Sequence, residues 1–242
     1  MPHSENRLLA SLSPEAFDQL RPNLISIELK HGAVMTRPNE RFERVYFPIT
    51  GFISLVVELS DGSMIETGMV GRDGVLGGGA ALDDRLLLST SIVQVPGRAW
   101  AIGMEHVRQL ALADAKFRAV LVRHEQVLLA QAQQSAACNA SHTVEARMCR
   151  WLLRMRDLVG EELPLTQDFM AQMMGVRRPS VSLVAGTLQQ AGLIKYRRGH
   201  ITIVDIERLQ DSACECYETV RTHYEAMLRD AEAGNSAKHQ RQ

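Results

Sequence analysis

The spacing of hydrophobic and polar positions changes twice along this chain of 242 residues. After a short helical pattern in NRLLASLSPEAFDQL, the segment from Leu24 to Ile102 shows short alternating runs separated by glycine, aspartate and proline. From Glu105 onward the apolar positions recur at helical spacing. The pattern therefore predicts an α+β protein in which an N-terminal β-domain is followed by helices.

Six runs in the first segment are typical of strands in an antiparallel sandwich or barrel. Asp61-Gly62 lies between two of these runs and predicts a hairpin turn. A closed β jelly roll (double-stranded β-helix) is the expected architecture. The runs are LISIELK, RVYFPI, FISLVVEL, MIETGMV, STSIVQV and RAWAI.

The longest helical segment, DAKFRAVLVRHEQVLLAQAQQSAACNA, contains no proline or glycine and has Asp114 as a suitable N-cap. Thr143 is suited to cap a fresh helix, so a domain boundary is expected near His142. One face of the long helix repeats with coiled-coil spacing, which predicts either packing on the β-domain or pairing with a second copy of the helix. The residues of that face, and thus of a candidate dimer seam, are Phe117, Leu121, His124, Leu128, Gln131, Ser135 and Cys138.

The stretch TQDFMAQMMGVRRPSVSLVAGTLQQ has the residue types that a helix-turn-helix requires. Ala171 is small where the two helices would touch, and Gly175 permits the left-handed backbone of the turn. Pro179 falls in the first turn of the second helix, where a missing amide donor costs nothing. Arg177 and Arg178 open that helix, and arginine forks onto guanine or phosphate.

The next segment, LIKYRRGHITIV, predicts two short strands around a turn at Gly199. A hairpin in this place is a wing, whose basic tip suits phosphate contact. A helical corner or a charged turn alone is ordinary structure, but the two together favour DNA binding. The residues predicted to contact DNA are Thr166, Gln167, Arg177, Arg178, Ser180, Ser182, Lys195, Arg197, Arg198 and His200.

These patterns predict four units along the chain. Residues 1–113 form a sensor-like β-domain, and residues 114–142 form the long helix and a hinge. Residues 143–209 form the winged helix-turn-helix, and residues 210–242 form a helical extension. The tail IERLQDSACECYETVRTHYEAML predicts one continuous amphipathic helix.

The formal net charge of −1 hides an uneven distribution. Residues 1–142 hold 13 basic and 15 acidic residues, residues 143–204 hold 9 and 5, and residues 205–242 hold 5 and 8. The positive segment contains the helix-turn-helix, as attraction to DNA phosphates requires. The composition is ordinary for a globular protein, and neither a long apolar run nor a signal-peptide pattern occurs. We therefore expect a cytoplasmic protein with no membrane partner.

A jelly roll, a long helix and a winged helix-turn-helix in this order resemble the Crp/Fnr superfamily of bacterial transcription regulators. The likeness covers residues from about 8 to 210 and rests on VYFPITGFISLVVELSDG, RMCRWLL, TQDFMAQMMGVRRPSVS and QQAGLIKYRRGHITI. The resemblance implies a homodimer joined through the long helix, with two recognition helices in successive major grooves of a pseudo-palindromic double-stranded DNA site. It also implies control of transcription by contact with RNA polymerase or by blocking it.

This chain departs from the members of the family that bind cyclic AMP. Those members carry a Gly-Glu-Leu turn and a downstream Arg-Ser pair, which hold the ribose and the phosphate. Here the turn is Gly-Val-Leu at 74–76, and Leu-Leu at 87–88 lies near the second element. A buried cyclic phosphate without an arginine is costly, so no cyclic-AMP dependence is expected. Arg72 or Arg85 would have to supply the charge from another loop.

The sequence also predicts no cofactor and no metal. Oxygen-sensing members bind an iron-sulfur cluster through cysteines near the N-terminus, which this chain lacks. Its cysteines are Cys138, Cys149, Cys214 and Cys216, at spacings that suggest neither disulfides nor a zinc finger. Cys214 and Cys216 are two apart on a predicted helix and should face different sides, which argues against a shared metal. His124 is a conceivable haem ligand, but helix histidines have many ordinary roles, so haem is not expected.

Two other classes of function fit the sequence less well. A ligand-binding signalling module whose helical domain mediates protein contacts would not need the basic wing and the double arginine. A β-barrel enzyme would need histidines and carboxylates clustered on its strands, yet His31 is the only histidine between Leu24 and Ile102. We therefore expect a DNA-binding regulator without enzymatic activity.

Overall fold

The computed structural model describes residues 5–83 and 88–236. An antiparallel β-domain comes first, a long helix follows, and a winged helix-turn-helix lies towards the C-terminus, so the predicted fold class is confirmed. Among the described residues, every helix is too short or too polar to cross a bilayer.

Eight strands and ten α-helices make up the described part of the chain. The strands are β1 (Ile25–Leu29), β2 (Val34–Thr36), β3 (Arg44–Glu58), β4 (Met64–Val70), β5 (Thr90–Gly103), β6 (Glu162–Leu163), β7 (Ile194–Arg197) and β8 (His200–Ile203). The helices are α1 (Arg7–Ala10), α2 (Pro14–Leu20), α3 (Gly78–Asp83), α4 (Met104–Ala113), α5 (Ala115–Ser141), α6 (Val144–Val159), α7 (Gln167–Met174), α8 (Arg178–Gln190), α9 (Ile206–Asp211) and α10 (Cys216–Ser236).

The β-domain sheet has the strand order β1-β5-β3-β4, with β2 also paired to β5. β3 and β5 each join two runs that the sequence predicts as separate strands. The reason is a close crossing at Gly51 and Gly97: a Cβ atom at Gly51 would overlap the backbone of Val95, and one at Gly97 would overlap the backbone of Thr50. The pairing of β3 with β5 shifts register around this point. The glycines that predicted strand ends therefore allow bends instead.

The core of the β-domain also receives side chains from two distant helices. Phe117 and Leu121 of α5 are fully buried in the same cluster as Phe47 of β3. Tyr224 and Leu228 of α10 enter this cluster as well. Full burial of such a side chain is worth about 1.5–3 kcal/mol, so the C-terminal helix is firmly attached to the β-domain.

The two predicted caps begin the helices on either side of the break after α5. The Asp114 side chain accepts hydrogen bonds from the N–H groups of Lys116 at 2.8 Å and Phe117 at 3.2 Å, and Thr143 accepts one from Ala146 at 3.3 Å. Between the helices, His142 is extended, with φ −106° and ψ 151°. The predicted break is therefore confirmed, whereas the limits of the four units stay a prediction.

The prediction of one continuous helix beyond Asp205 is wrong. The chain forms α9 and α10, separated by the connection at 212–215. The Ser212 hydroxyl donates to the Arg208 carbonyl at 2.9 Å, and the Ala213 N–H donates to the Gln210 carbonyl at 3.0 Å, which tightens and ends α9. The apolar periodicity continues across this break and therefore hides it.

Candidate DNA-binding face

The predicted helix-turn-helix is present, and its turn is centred on Gly175. The Thr166 side chain accepts a hydrogen bond from the Phe169 N–H at 3.2 Å, which caps α7. Gly175 has φ 61° and ψ 43°, the left-handed conformation that glycine adopts at low cost. The Val176 N–H then donates to the Ala171 carbonyl at 2.9 Å. The chain therefore turns sharply between α7 and α8.

The inner face of this corner is apolar. Met170 and Met173 of α7 are buried together with Val181 of α8, as the helical spacing of these residues predicts. The Arg147 side chain donates to the Met174 carbonyl, one of the groups left unpaired at the end of α7. Packing against α6 thus occupies this side of the corner and leaves the outer side for a partner.

The outer side begins with two arginines. Arg177 and Arg178 are exposed at the start of α8. Nη1 of Arg178 lies 3.2 Å from Oδ1 of Asp168, with both side chains more than half exposed. A pair of this kind contributes about 0–1 kcal/mol, so a phosphate or base can replace the aspartate. The Ser182 hydroxyl donates to the Gln167 side-chain carbonyl, which joins α8 to the start of α7.

The wing lies directly beside this corner. Arg198 (φ 50°) and Gly199 (φ 78°) form the left-handed turn between β7 and β8. A Cβ atom at Gly199 would lie 3.5 Å from Cγ2 of Thr166, so the wing tip adjoins the start of α7. The Tyr196 N–H donates to Oε1 of Gln189 at 2.7 Å and ties the wing to α8. The other residues predicted to contact DNA are exposed or half-buried: Ser180, Lys195, Arg197 and His200.

The candidate dimer residues of α5 mostly face the interior of their own chain. Nε2 of His124 accepts a hydrogen bond from the Val75 N–H at 3.1 Å, which gives this histidine a structural role. Oε1 of Gln131 accepts one from the Tyr224 hydroxyl at 3.1 Å. Leu128 is half-buried, and the other six candidates are buried. A dimer seam through these seven residues stays a prediction, although most of them are already covered by their own chain.

β4 lies close to both α6 and the turn of the corner. Nε1 of Trp151 donates to the Glu66 carboxylate at 2.8 Å, and the Ser54 hydroxyl donates to the same group. Burial raises the pKa of Glu66 to about 7, although both hydrogen bonds act in the opposite direction. A Cβ atom at Gly175 would lie 3.2 Å from Cδ1 of Ile65. β4 therefore contacts both the helix that supports the corner and the corner itself.

A cavity of about 520 Å³ lies between the β-domain and α5. The Val75 side chain, which stands where the cyclic-AMP-binding members have glutamate, is fully buried. The Glu125 carboxylate accepts a hydrogen bond from the Gly79 N–H at 2.9 Å. The lining residues that the structure describes include no arginine. Arg72 lines a separate groove next to α6. Arg85 and Leu87 lie outside the described residues.

The prediction of no metal site is wrong. Cys138, His142, Cys214 and Cys216 place one ligand atom each so that all four atoms lie within 4.8 Å of one another, an arrangement able to hold a metal ion. The argument from helix geometry fails because Cys214 lies in the connection before α10 and only Cys216 is helical. The spacings Cys-x3-His at 138–142 and Cys-x-Cys at 214–216 were the signal available in the sequence.

Comparison with known proteins agrees with this architecture. Residues 26–114 match the model of the cyclic nucleotide-binding domain, and residues 146–212 match that of the Crp-like helix-turn-helix domain. Among curated proteins the sequence has no match.

Several solved structures share the fold at low sequence identity. FixK2 from Bradyrhizobium japonicum has a TM-score of 0.68 at 17% identity, covering 79% of this chain and 98% of its own. The c-di-GMP-responsive global regulator CLP of Xanthomonas campestris has a TM-score of 0.62 at 17% identity, covering 78% and 98%. A CRP/FNR-family transcriptional regulator from Thermus thermophilus has a TM-score of 0.63 at 21% identity, covering 78% and 98%.

The two matched domains occur in the order expected from the sequence, and the described helices and strands join them through one long helix. The helix-turn-helix has its turn, caps and wing in place, with arginines exposed at the start of the recognition helix. The chain belongs to the Crp/Fnr superfamily of transcription regulators and carries its helix-turn-helix DNA-binding domain.

Proposed function

We propose that this regulator binds double-stranded DNA through the start of α7, the first turn of α8 and the tip of the β7–β8 wing. The observation that carries the proposal is the continuity of this surface: Asp168 contacts Arg178, and the wing turn adjoins Thr166. Exposed arginines at the N-terminal end of a recognition helix are suited to base edges, and a basic wing is suited to the flanking phosphates. We further infer that the protein acts by binding and has no enzymatic activity.

Arg178 is expected to contact a base edge, whereas Arg177 and the wing arginines hold phosphates. Arg178→Ala should therefore weaken binding to a selected operator by about 1–3 kcal/mol and relax preference at one base pair. Binding to an operator and to variants changed at each single position, measured by fluorescence anisotropy, tests this expectation.

Arg197→Ala is the matched control, because it also removes one exposed arginine from the same face. It should weaken all DNA sequences alike and reduce the salt slope by about 1. Unchanged operator binding by Arg178→Ala, or an equal loss on every sequence, would contradict the role assigned to Arg178.

We propose that the protein acts as a homodimer joined along the exposed side of α5. Val122, Leu129 and Ala136 are spaced seven residues apart on this side and are exposed. Gln126 and Gln133 alternate with them at coiled-coil spacing, so two copies of the helix can pair across a twofold axis. A dimer would present two recognition helices to successive major grooves, about 34 Å apart.

We also propose that operator binding does not depend on cyclic AMP. Among the described lining residues of the cavity beside α5, the buried apolar Val75 stands in place of a ribose-binding glutamate, and the carboxylate of Glu125 would repel a phosphate. A ligand shifts a conformational equilibrium only through contacts that differ between the two states. Without these contacts, cyclic AMP has no means of favouring a DNA-binding state.

Calorimetry with cyclic AMP and cyclic GMP is expected to detect no binding, while the ligand-free protein binds its operator. Glu125→Gln serves as a comparison, because it removes the negative charge from the cavity and keeps an acceptor for the Gly79 N–H. Micromolar nucleotide affinity together with an operator-inactive free protein would refute cyclic-AMP independence.

A further inference from the structure

Three cysteines and one histidine meet at the hinge before the DNA-binding domain. Cys138 lies near the end of α5, and His142 lies in the connection to α6. Cys214 precedes α10, and Cys216 is the first residue of that helix. The sulfur atoms of Cys138 and Cys214 are 3.5 Å apart, and Sγ of Cys216 lies 3.5 Å from Nδ1 of His142. Residues far apart in the sequence thus converge on one point.

The spacing of these atoms fits a single tetrahedral ion. A zinc ion bound at about 2.3 Å to sulfur and 2.0–2.1 Å to nitrogen holds its ligand atoms a little under 4 Å apart. The four atoms here lie within 4.8 Å of one another, so small side-chain movements bring them to these distances. An iron-sulfur cluster holds several metal atoms and needs its ligands spread more widely. The geometry therefore favours one ion.

The surroundings also suit a metal site. Nε2 of His142 lies 3.2 Å from Oε1 of Glu215, so a carboxylate orients the ring while Nδ1 faces the sulfur atoms. The Gln134 amide lies 3.1 Å from Sγ of Cys216 and donates to it. The three sulfurs are buried as free cysteines. Alanine or valine would meet the packing needs at this meeting point of three segments equally well. Packing alone therefore does not account for three cysteines held so close together.

We propose that Cys138, His142, Cys214 and Cys216 form a site for one thiophilic divalent cation, best matched by Zn²⁺. Binding converts the three thiols to thiolates and releases up to three protons to solvent, while neutral His142 binds through Nδ1. The donor set of three sulfurs and one imidazole is one of the established tetrahedral zinc sets. Hard cations such as Mg²⁺ and Ca²⁺ prefer oxygen ligands and are disfavoured here.

The location of the site gives the ion a regulatory role. It would join the end of α5 to the hinge before α6 and to the start of α10, whose Tyr224 and Leu228 are anchored in the β-domain core. The ion therefore restricts the hinge from which the DNA-binding domain extends. This coupling rests on the proposed DNA binding, whereas metal binding itself does not.

Titration of the reduced, metal-free full chain with Co²⁺ tests the site. We expect one ion per chain, with the sulfur-to-cobalt charge-transfer band and the strong visible bands of tetrahedral thiolate coordination. Cys214→Ser should abolish the charge-transfer spectrum or shift it to that of a weaker site. Cys149→Ala is the matched control, because Cys149 is a buried cysteine of α6 outside the cluster, and it should bind like the unaltered protein.

Glu215→Gln keeps the test valid if the cysteine variants fail to fold, because Glu215 is exposed. Loss of the carboxylate that orients His142 should weaken metal affinity about 10- to 100-fold. No uptake of cobalt by the reduced protein, or an unchanged spectrum in Cys214→Ser together with an unchanged metal affinity in Glu215→Gln, would overturn the site.

Operator affinity of the Zn²⁺-loaded and metal-free chains tests the coupling separately. Regulation is supported if the two forms differ at least tenfold in operator affinity. In Glu215→Gln this difference should disappear at a zinc concentration too low to load the variant. Equal affinity overturns the coupling but not the site. Failure of both forms to bind any DNA would instead refute the proposed DNA-binding face.

Discussion

Replacing Arg154 with methionine is expected to destabilise the protein by about 3–5 kcal/mol. Its guanidinium forms a bidentate pair with the Asp73 carboxylate at 2.6 and 3.2 Å, and both side chains are less than a tenth exposed. The guanidinium also lies over the Tyr224 ring, 4.2 Å from its centre. Methionine would leave the carboxylate buried without a cation. Urea unfolding followed by tryptophan fluorescence measures the loss.

Two further variants separate this effect from a general loss of charge. Asp73→Asn combined with Arg154→Met removes both charges and should recover most of the stability lost by the single change. Arg156→Met removes an arginine of the same helix that is one-third exposed, with ion-pair distances of 3.7 and 3.8 Å, and should cost about 0–1 kcal/mol. Equal losses for Arg154→Met and Arg156→Met would contradict the importance of the buried pair.

This buried pair also explains how the parts of the chain are held together. Asp73 follows β4, Arg154 lies on α6 and Tyr224 lies on α10. The β-domain, the helix that supports the corner and the C-terminal extension therefore meet at one charged group. Burial lowers the pKa of the Arg154 guanidinium, but the nearby charge of Asp73 raises it, and the net shift is upward. Removing one member of the pair would leave the other charge buried without a partner, which is costly.

The helix-turn-helix was predictable because its determinants are local. The Thr166 side chain accepts a hydrogen bond from an amide three residues away. The left-handed backbone angles of a single turn favour glycine at position 175. The same holds for Asp114 and Thr143, which cap the two helices on either side of the hinge. Each of these residues acts within one helical turn, so its role is visible without knowledge of the tertiary fold.

The partner of a helix face was not predictable in the same way. Periodicity marked the face of α5 that contains Leu121 and His124 as one that needs to be covered, and it left open whether the β-domain or a second copy covers it. In the structure, the chain's own β-domain and α10 cover most of it. Which surface meets a given face depends on the path of the whole chain.

The cluster of Cys138, His142, Cys214 and Cys216 was missed for a related reason. Cys138 and Cys214 come together only because α10 folds back along α5. The assumed continuous helix also turned Cys214 and Cys216 to different sides, whereas the break at 212–215 lets both contribute to one site. A single error in helix continuity thus removed a candidate metal site from the prediction.

The exposed side of α5 carries apolar residues whose burial needs a partner. Val122 is 40% exposed and Leu129 is 58% exposed, and they lie about 80–100° around the helix from the buried Leu121, at the edge of the cavity beside the β-domain. A twofold axis along this side would place each residue against its counterpart. A glutamate introduced here meets a second glutamate across the axis, so each change introduces two like charges into one interface.

Val122→Glu combined with Leu129→Glu is expected to convert the proposed dimer to a monomer and to weaken operator binding by on the order of 10²- to 10⁴-fold, because the two half-sites are no longer bound together. Sedimentation velocity measures the first effect, and operator titration measures the second. Leu112→Glu is the control, since Leu112 is an apolar residue of α4 that is 74% exposed, and it should leave both the dimer and the DNA affinity unchanged. An intact dimer in the double variant would exclude this seam, because two facing pairs of buried carboxylates cannot remain in a stable helix interface.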